Sequence, residues 1–411
     1  VSLNIVILND YGSITGGSSA VALASAIGLA QEGASVTLLT AVDPIAEKLR
    51  AVRGLRVIGL GQHEIRADPH RLRAFVRGLY NRAAVTAMRR VLAPLDPAQT
   101  VVHVHTWTKA LSSFPIHAAI QLGFKVVLTL HDFFITCPTG GFFVHSTNEL
   151  CDRVPLSADC ILCRCDRRSH AQKLWRVART AIQNRILRVP EGIAHFIGVS
   201  NLSVNVMRDF LPPNIPITIV RNPVDCRDQG PSDVGANECF LYIGRFSKEK
   251  GVLLFAEAAG RLGIPAVFIG DGEVRAEAER LCPRGTFTGW LSPEAVARGL
   301  RRARALVFPP LWYETLGLVV VEAASHGVPS IIASRCAATD YIRDGKEGLW
   351  FDHGSVDSLC GQLAAMQKEA TASQLGKNAY EWYWADPWTT DRHIGALLEL
   401  YRRVLSATAP E

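Results

Sequence analysis

The sequence has no uninterrupted apolar stretch of membrane-spanning length, which excludes an ordinary transmembrane helix. Val1–Leu8 is a short apolar run with no basic lead, unlike a signal peptide. Charge is not extreme either: charged residues make up 20%, the net charge is +6, and no basic stripe is interleaved with aromatics. With no RNA- or DNA-binding motif besides, nucleic acid is not an expected partner. A cytoplasmic protein is expected, with the option of lying against the anionic inner face of a membrane. A hydrophobic content of 48% excludes a disordered chain, and 411 residues are more than one core accommodates, so two domains are expected.

In the first half, Asn4–Leu8 reads as a buried strand. A loop Asn9–Ser19, a helix Ala20–Gln31, a stop at Gly33 and a strand Ser35–Thr40 complete a βαβ opening. Gly16-Gly17 ahead of the helix lets the backbone approach a phosphate or a sugar closely, though a plain tight turn uses the same residues. The full glycine fingerprint of dinucleotide binding is lacking, as is an acidic residue after the second strand. Arg71–Leu92 reads as a basic helix with a solvated face. Val101–Val104 and Val126–Leu130 read as strands, and the second runs into His131-Asp132. Open α/β sheets place ligands at the carboxyl ends of strands. There His131 can hydrogen-bond a sugar or move a proton, or it can simply cap the strand.

Phe133–Arg168 breaks the alternation and carries five of the ten cysteines. Cys160 with Cys163 or Cys165 has the spacing of a zinc half-site, and Cys151 and Cys137 bring the count of thiolates to four. Cys137, Cys151, Cys160 and Cys165 are the candidate structural zinc set, with Cys163 as the spare; free thiols are the alternative. Arg167–Arg188 is a second basic helix, suited to a solvated surface, an anionic bilayer or an acidic acceptor.

Turn-forming Arg221–Asp225 marks the domain boundary. A first domain of 1–222, with the Cys-rich insertion 133–168, is completed by 387–411; a second domain covers 223–386. The second starts with strand Phe240–Ile243, then Gly244-Arg245 and Lys250-Gly251 before a helix. Two cations five residues apart at a helix start can grip a diphosphate without a metal. Gly270-Asp271-Gly272 and Phe287-Thr288-Gly289 follow two further strands, where a nucleoside base can lie against backbone. After the run Ala305–Phe308 and the break Pro309-Pro310 comes Glu314-Thr315-Leu316-Gly317-Leu318, leading to Glu322. A helix opening near Leu316 puts Glu314 in the loop and Glu322 about two turns in. On one straight helix the two carboxylates would stand roughly 12 Å apart. They therefore address different parts of one long ligand, with the helix start between them suited to phosphate. Trp382, Trp384 and Trp388 read as packing residues ahead of a helical run Ile394–Val404.

Taken in order, these elements resemble the retaining GT-B glycosyltransferases of family 4, also called glycosyl transferases group 1. The resemblance is strongest from Phe240 to Phe351. It implies an α/β fold of two Rossmann-like, doubly wound domains facing across a cleft, with a C-terminal helix crossing back. It implies that Arg245 and Lys250 neutralise a donor diphosphate and that Glu322 binds ribose hydroxyls. It further implies that Glu314 and His131 lie near the donor sugar as the catalytic pair, with Gly16, Gly17 and Thr315–Leu318 lining the donor through backbone. Gly270, Gly272 and Thr288 belong to the same donor set.

The expected activity is hexosyl transfer from a nucleotide-diphosphate sugar to a glycan or lipid-linked glycan acceptor, in bacterial cell-surface or exopolysaccharide synthesis. No catalytic cofactor is expected, because guanidinium, ammonium and peptide dipoles can stabilise the leaving diphosphate. A double-displacement carboxylate pair needs a separation of about 5 Å, which the spacing of Glu314 and Glu322 does not suit. A non-catalytic sugar-nucleotide-binding protein and a sugar-nucleotide epimerase of the same fold are the competing readings.

Overall fold

The computed structural model describes residues 3–407. Val1, Ser2 and the last four residues, which the sequence reading assigns to the first domain, lie outside the described residues. The strands in chain order are β1 Asn4–Tyr11, β2 Ser35–Val42, β3 Leu55–Gln62, β4 Thr100–Val104 and β5 Lys125–Leu130. A two-residue hairpin follows, β6 Phe143–Val144 and β7 Glu149–Leu150, then β8 His195–Gly198 and β9 Ile217–Ile219. The remaining six are β10 Cys239–Ile243, β11 Ala266–Ile269, β12 Thr286–Gly289, β13 Ala303–Phe308, β14 Ser330–Ala333 and β15 Gly348–Phe351.

By its contacts the chain divides into two compact units. Of the described residues, the first holds 3–141, Arg153–Pro223 and 389–407; the second holds Phe142–Asp152 and Val224–Trp388. The hairpin stretch Phe142–Asp152, read from sequence as part of the first domain's insertion, thus groups with the second unit.

In the first unit, seven parallel strands lie in the order β3-β2-β1-β4-β5-β8-β9. In the second, six parallel strands lie in the order β12-β11-β10-β13-β14-β15. Both are doubly wound α/β sheets, as expected. Winding reverses between β1 and β4 in one and between β10 and β13 in the other. Helices from either side part at such a reversal, which opens a crevice at the carboxyl ends of the strands.

Several expectations need correction in detail. β1 runs on to Tyr11, and the first helix opens at Gly17, three residues earlier than its apolar pattern suggests. Ser19 is the reason: its Oγ accepts from Gly16 N at 3.1 Å and returns a bond to Gly16 O at 2.9 Å. The basic stretch Arg71–Leu92 is two helices, Arg71–Leu79 and Arg82–Leu92. Between them Asn81 caps the second, its side chain accepting from Ala84 N at 3.1 Å. The edge strand β3 escapes a reading based on buried runs, because its residues alternate between half-buried and exposed.

The last helix, Thr390–Ser406, packs in the first unit. Ile394, Leu397, Leu400, Tyr401 and Val404 join the core cluster formed by β1, β2 and the first helix. Tyr401 reaches His103 on β4, with Oη 2.6 Å from Nδ1. His393 Nε2 lies 2.9 Å from Ser25 Oγ on the first helix. Burying polar groups is costly unless they are paired, so these bonds set the helix in one register as well as holding it. Tyr401→Phe leaves His103 Nδ1 without its partner and is expected to cost about 1–3 kcal/mol. Urea unfolding of the full chain measures it; an unchanged midpoint would remove this bond from the account of the helix register.

Candidate functional site

In the second unit, the chain leaving β10 turns at Gly244, whose φ is 156°. Arg245 follows with a half-exposed guanidinium, anchored 3.2 Å from the buried carboxylate of Glu249. Gly251 has a φ of 70°, and a Cβ there would lie 1.7 Å from the Pro309 carbonyl oxygen. Only glycine permits this approach, which brings the end of β13 against the start of the helix Val252–Leu262. The approach carries Lys250 to Glu314: Nζ and Oε2 are 2.5 Å apart. Trp312 Nε1 donates to the same Oε2 at 3.0 Å, and the Lys250 ammonium stands 5.0 Å above the Trp312 ring. Both bonds go to Oε2, so Oε1 remains to accept a ligand hydroxyl.

The helix after this loop spans Leu318–Ser325 and is capped by Gly317 at φ 79°, with no side-chain cap. It opens two residues later than expected, so Glu322 stands little more than one turn in. Glu314 and Glu322 therefore do not share one straight helix. Thr315, Leu316 and Gly317 are loop residues, and Leu318 is the first helical one. Tyr341 Oη donates to Leu316 O at 2.7 Å and Gly317 O at 3.1 Å. Trp382 stacks on Tyr341 and Trp388 meets it edge-on, at 5.7 and 5.3 Å. The tryptophans are packing residues as expected, and what they pack is the residue that holds this loop. Burial pushes the Glu322 carboxyl up from its ordinary value, with no cation acting against it.

Gly270 and Gly272 crowd the Gly244–Phe246 backbone: a Cβ on either would lie 1.9 Å from Gly244 O or 2.2 Å from Phe246 O. Arg275 binds across this turn, to Asp271 at 3.4 Å and to Phe287 O at 3.1 Å. Thr288 bonds to Gly289 O at 2.9 Å. Arg245, Lys250, Gly270, Gly272, Glu314 and Thr315–Leu318 thus lie in loops or helix starts after the carboxyl ends of β10, β11 and β13, Thr288 lies within β12 near its end, and Glu322 stands on the helix Leu318–Ser325. Trp312, Glu249, Arg275 and Tyr341 were missed. Each acts through another residue, and nothing in local spacing marks such a role.

In the first unit, Gly16 sits at the start of its helix, exposed, and a Cβ there would meet nothing within 4 Å. Gly17 is the first helical residue. His131 follows β5. Its Nε2 lies 2.9 Å from His105 Nδ1, and the two rings stack at 5.1 Å. His103 is 4.1 Å from His105, ring to ring, and its Nε2 lies 2.7 Å from Thr129 Oγ1. Burial, reinforced by the neighbouring rings, holds all three imidazoles below their ordinary pKa, His131 at about 3. All three are neutral at physiological pH. His105 Nε2 is buried without a partner. A tautomer with the proton on Nδ1 leaves only a lone pair there, a milder defect than an unpaired N–H. Burial raises the neighbouring Asp132 to about 6, against Phe134 N and Lys109. Asp10 accepts from the backbone N–H groups of Lys109, Ala110 and Leu111 at 2.8–3.0 Å, fixing the loop after β4. The alternation His103-Val104-His105 at a strand end was the available signal for this cluster.

Among the described residues no three His, Cys, Asp or Glu side chains are grouped to hold a metal. Of the cysteines expected as zinc ligands, Cys137, Cys160 and Cys165 are buried, while Cys151 and Cys163 are less so. A lysine stands between two of the sulfurs: Lys173 Nζ is 2.9 Å from Cys165 Sγ and 3.6 Å from Cys160 Sγ. Lys173 comes from the basic helix His170–Ala181, which is not the solvated surface helix its charges suggest. Lys173 is 1% and Arg179 8% exposed. No helix among the described residues is long and apolar enough to cross a membrane.

Residues 15–228 match Glycosyltransferase Family 4, and residues 231–382 match Glycosyl transferases group 1. Sulfoquinovosyl transferase SQD2 of Arabidopsis thaliana is 28% identical over 40% of this chain and 34% of its own. O-antigen chain mannosyltransferase C of Escherichia coli is 28% identical over 41% of this chain and 47% of its own. The matched stretch thus spans a third to a half of those relatives. The structure of Anabaena Alr3699/HepE in complex with UDP and glucose superposes with a TM-score of 0.67 at 15% identity, covering 98% of this chain and all of the other. The fold is that of the GT-B enzymes.

The histidine cluster makes a pH prediction. A histidine with a folded pKa below its unfolded value of about 6.5 takes up a proton on unfolding below that pH, so its contribution to stability falls as pH drops. Asp132 and Asp10, both raised by burial, act in the opposite sense. The comparison of wild type with His105→Gln isolates one group. The stability of wild type relative to the variant should fall by up to about 1.4 kcal/mol per pH unit below pH 6.5. Urea unfolding at several pH values measures it, and a pH-independent difference would show that His105 titrates normally.

Proposed function

We propose that this chain, which belongs to glycosyltransferase family 4, transfers a hexose from a nucleoside diphosphate to a glycan hydroxyl with retention at the anomeric carbon. The observation that carries the reading is the Lys250–Glu314 pair beside the helix start at Leu318, which no side chain caps. Breaking the bond from sugar to diphosphate puts negative charge on the leaving oxygens. Lys250, Arg245 and the N–H groups at the helix start stabilise that charge as it grows, in a place already built for it. UDP in the Anabaena structure supports a nucleotide donor.

Glu314 serves two ends. Its Oε2 holds the Lys250 ammonium and Trp312, and its Oε1 accepts a hydroxyl of the donor sugar. Glu322, partly buried and without a cation, binds the ribose hydroxyls as hydrogen-bond acceptor. The protein's own packing makes no demand for glycine at position 16, so close approach of a ligand is what uses it. His131, neutral and oriented by His105, hydrogen-bonds the sugar near its anomeric centre without adding charge. No carboxylate is assigned as a nucleophile. Retention then follows if the acceptor attacks from the face the diphosphate leaves, passing its proton to the departing oxygen. The reading places the enzyme in synthesis of bacterial surface or extracellular polysaccharide.

Turnover of radiolabelled nucleotide-sugars tests the assignment. Lys250→Ala and Glu314→Ala should each lower kcat/KM by about a hundredfold or more, and Glu322→Ala should act mainly through KM. NMR of the product gives its anomeric configuration. Unchanged kcat/KM in Lys250→Ala, with wild type active, would remove the role assigned to the ion pair; an inverted product would remove retention.

A further inference from the structure

Lys173 is a buried cation whose ammonium bonds, among the described residues, to sulfur alone. Its Nζ donates to Cys165 Sγ at 2.9 Å and to Cys160 Sγ at 3.6 Å, and no carboxylate pairs with it. Cys137 lies close enough to act on both Lys173 and Cys160. An ammonium taken out of water is costly unless its partners are good. An apolar side chain of similar length would fill the same space without that cost. What the lysine adds is an amine held against a thiol.

The two segments that carry this pair are fastened to each other already. Asp166, beside Cys165, forms an ion pair with Arg176 at 3.2 Å, one turn beyond Lys173. Ser169 caps the helix His170–Ala181, its Oγ accepting from Gln172 N at 3.3 Å. A bond between Cys165 and Lys173 therefore closes a short loop whose ends the fold has brought together. The same helix sends Arg176 and Arg179 to a cavity of about 320 Å³, bounded also by the helix Arg71–Leu79 and the loops after β4 and β5. Arg66, Arg71, Lys109 and Arg168 complete a lining of six cations. Arg176 also feels the sulfurs of Cys137 and Cys165, so the cavity wall and the sulfur cluster share a residue.

We infer that Cys165 and Lys173 form an oxidation-dependent covalent link, made by a peroxide and undone by thiols. In its thiolate form Cys165 attacks one oxygen of hydrogen peroxide. The S–O bond forms, the O–O bond breaks, and the Lys173 ammonium gives a proton to the departing hydroxide, which leaves as water. Sulfur is oxidised by two electrons and the peroxide is reduced. A sulfenic acid now faces a neutral amine, and sulfenic acids condense with nitrogen as well as with thiols. The nitrogen lone pair displaces the sulfenic oxygen, which takes up a proton from the amine and leaves as a second water, and the S–N bond remains. In reversal, one thiol displaces the amine from sulfur and a second frees Cys165, the pair leaving as a disulfide. Cys165 is 3% and Lys173 1% exposed, so only a small oxidant reaches them. The amine, standing between the two sulfurs, intercepts Cys165 before Cys160 can. The link locks the helix that supplies two of the six cavity cations to the cysteine-rich segment. It is independent of the proposed glycosyl transfer.

Mass spectrometry of the intact chain before and after hydrogen peroxide tests this, with peptide mapping under non-reducing conditions. The treated chain should lose two hydrogens, carry a single link between the Cys165 and Lys173 peptides, and return to its starting mass with dithiothreitol. Oxidised glutathione, too bulky for the site, should not produce the link. Cys160→Ser should retain the link, whereas Cys165→Ser and Lys173→Arg should abolish it. A link with one added oxygen supports the same pairing; there a second peroxide converts the amine to a hydroxylamine, which loses water to the sulfenic acid. A Cys160–Cys165 disulfide in wild type, or loss of the link in Cys160→Ser, overturns the inference. So does peroxide treatment that leaves Cys165 as an unlinked sulfinic acid. Purified chain that holds zinc on these cysteines and resists peroxide until chelated overturns it as well.

Discussion

The second unit depends on one short contact, the Gly251 backbone against the Pro309 carbonyl. It brings the end of β13 beside the helix start after β10, and with it Glu314 beside Lys250. From there the constraint spreads. Trp312 fixes the same carboxylate oxygen, and Tyr341, held by Trp382 and Trp388, fixes the loop that leads into the helix at Leu318. Glycine is required at the contact for a steric reason. The positions of Lys250 and Glu314 then follow as a consequence of backbone packing.

In the first unit the governing constraint is burial of polar groups. His103, His105 and His131 form a neutral cluster at the ends of β4 and β5, with Thr129 and Tyr401 bonded to the two nitrogens of His103 and His131 bonded to His105. Low dielectric makes each satisfied bond strong and each missing one expensive. The final helix is therefore committed to the first unit by Tyr401 and His393 as well as by its apolar face. Charge is concentrated instead around the cavity between the helices Arg71–Leu79 and His170–Ala181.

The residues proposed to hold the donor could be picked out in the sequence because most of them sit where a strand ends in a loop or helix start, and that position shows in local pattern. Gly244-Arg245, Lys250-Gly251 and Gly317-Leu318 all follow apolar runs in this way. The helix boundary at Leu318 was less legible: αL glycine at position 317 delays the helix, and apolar spacing cannot show that. The two helices within Arg71–Leu92 were merged for a similar reason, since the Asn81 cap lies between two basic segments of like composition. The cysteines are harder to read. Their spacing suits a metal half-site, but Lys173, eight residues beyond Cys165, turns inward to place its ammonium between Cys160 and Cys165. Charge on a helix reads as exposure until the partner is known.

The alternation of apolar strands and helices was enough by itself to determine two doubly wound sheets, and the glycines and cations at the strand ends marked the loops that follow them. Those signals are local: a strand's burial and a turn's glycine are set by their immediate neighbours in sequence. Only the tertiary structure decided that Glu314 pairs with Lys250 across 64 positions, that His131 rests on His105, and that six cations converge on one cavity. Those pairings depend on which loops the sheet order brings together, and crossover connections bring together segments that no spacing along the chain relates.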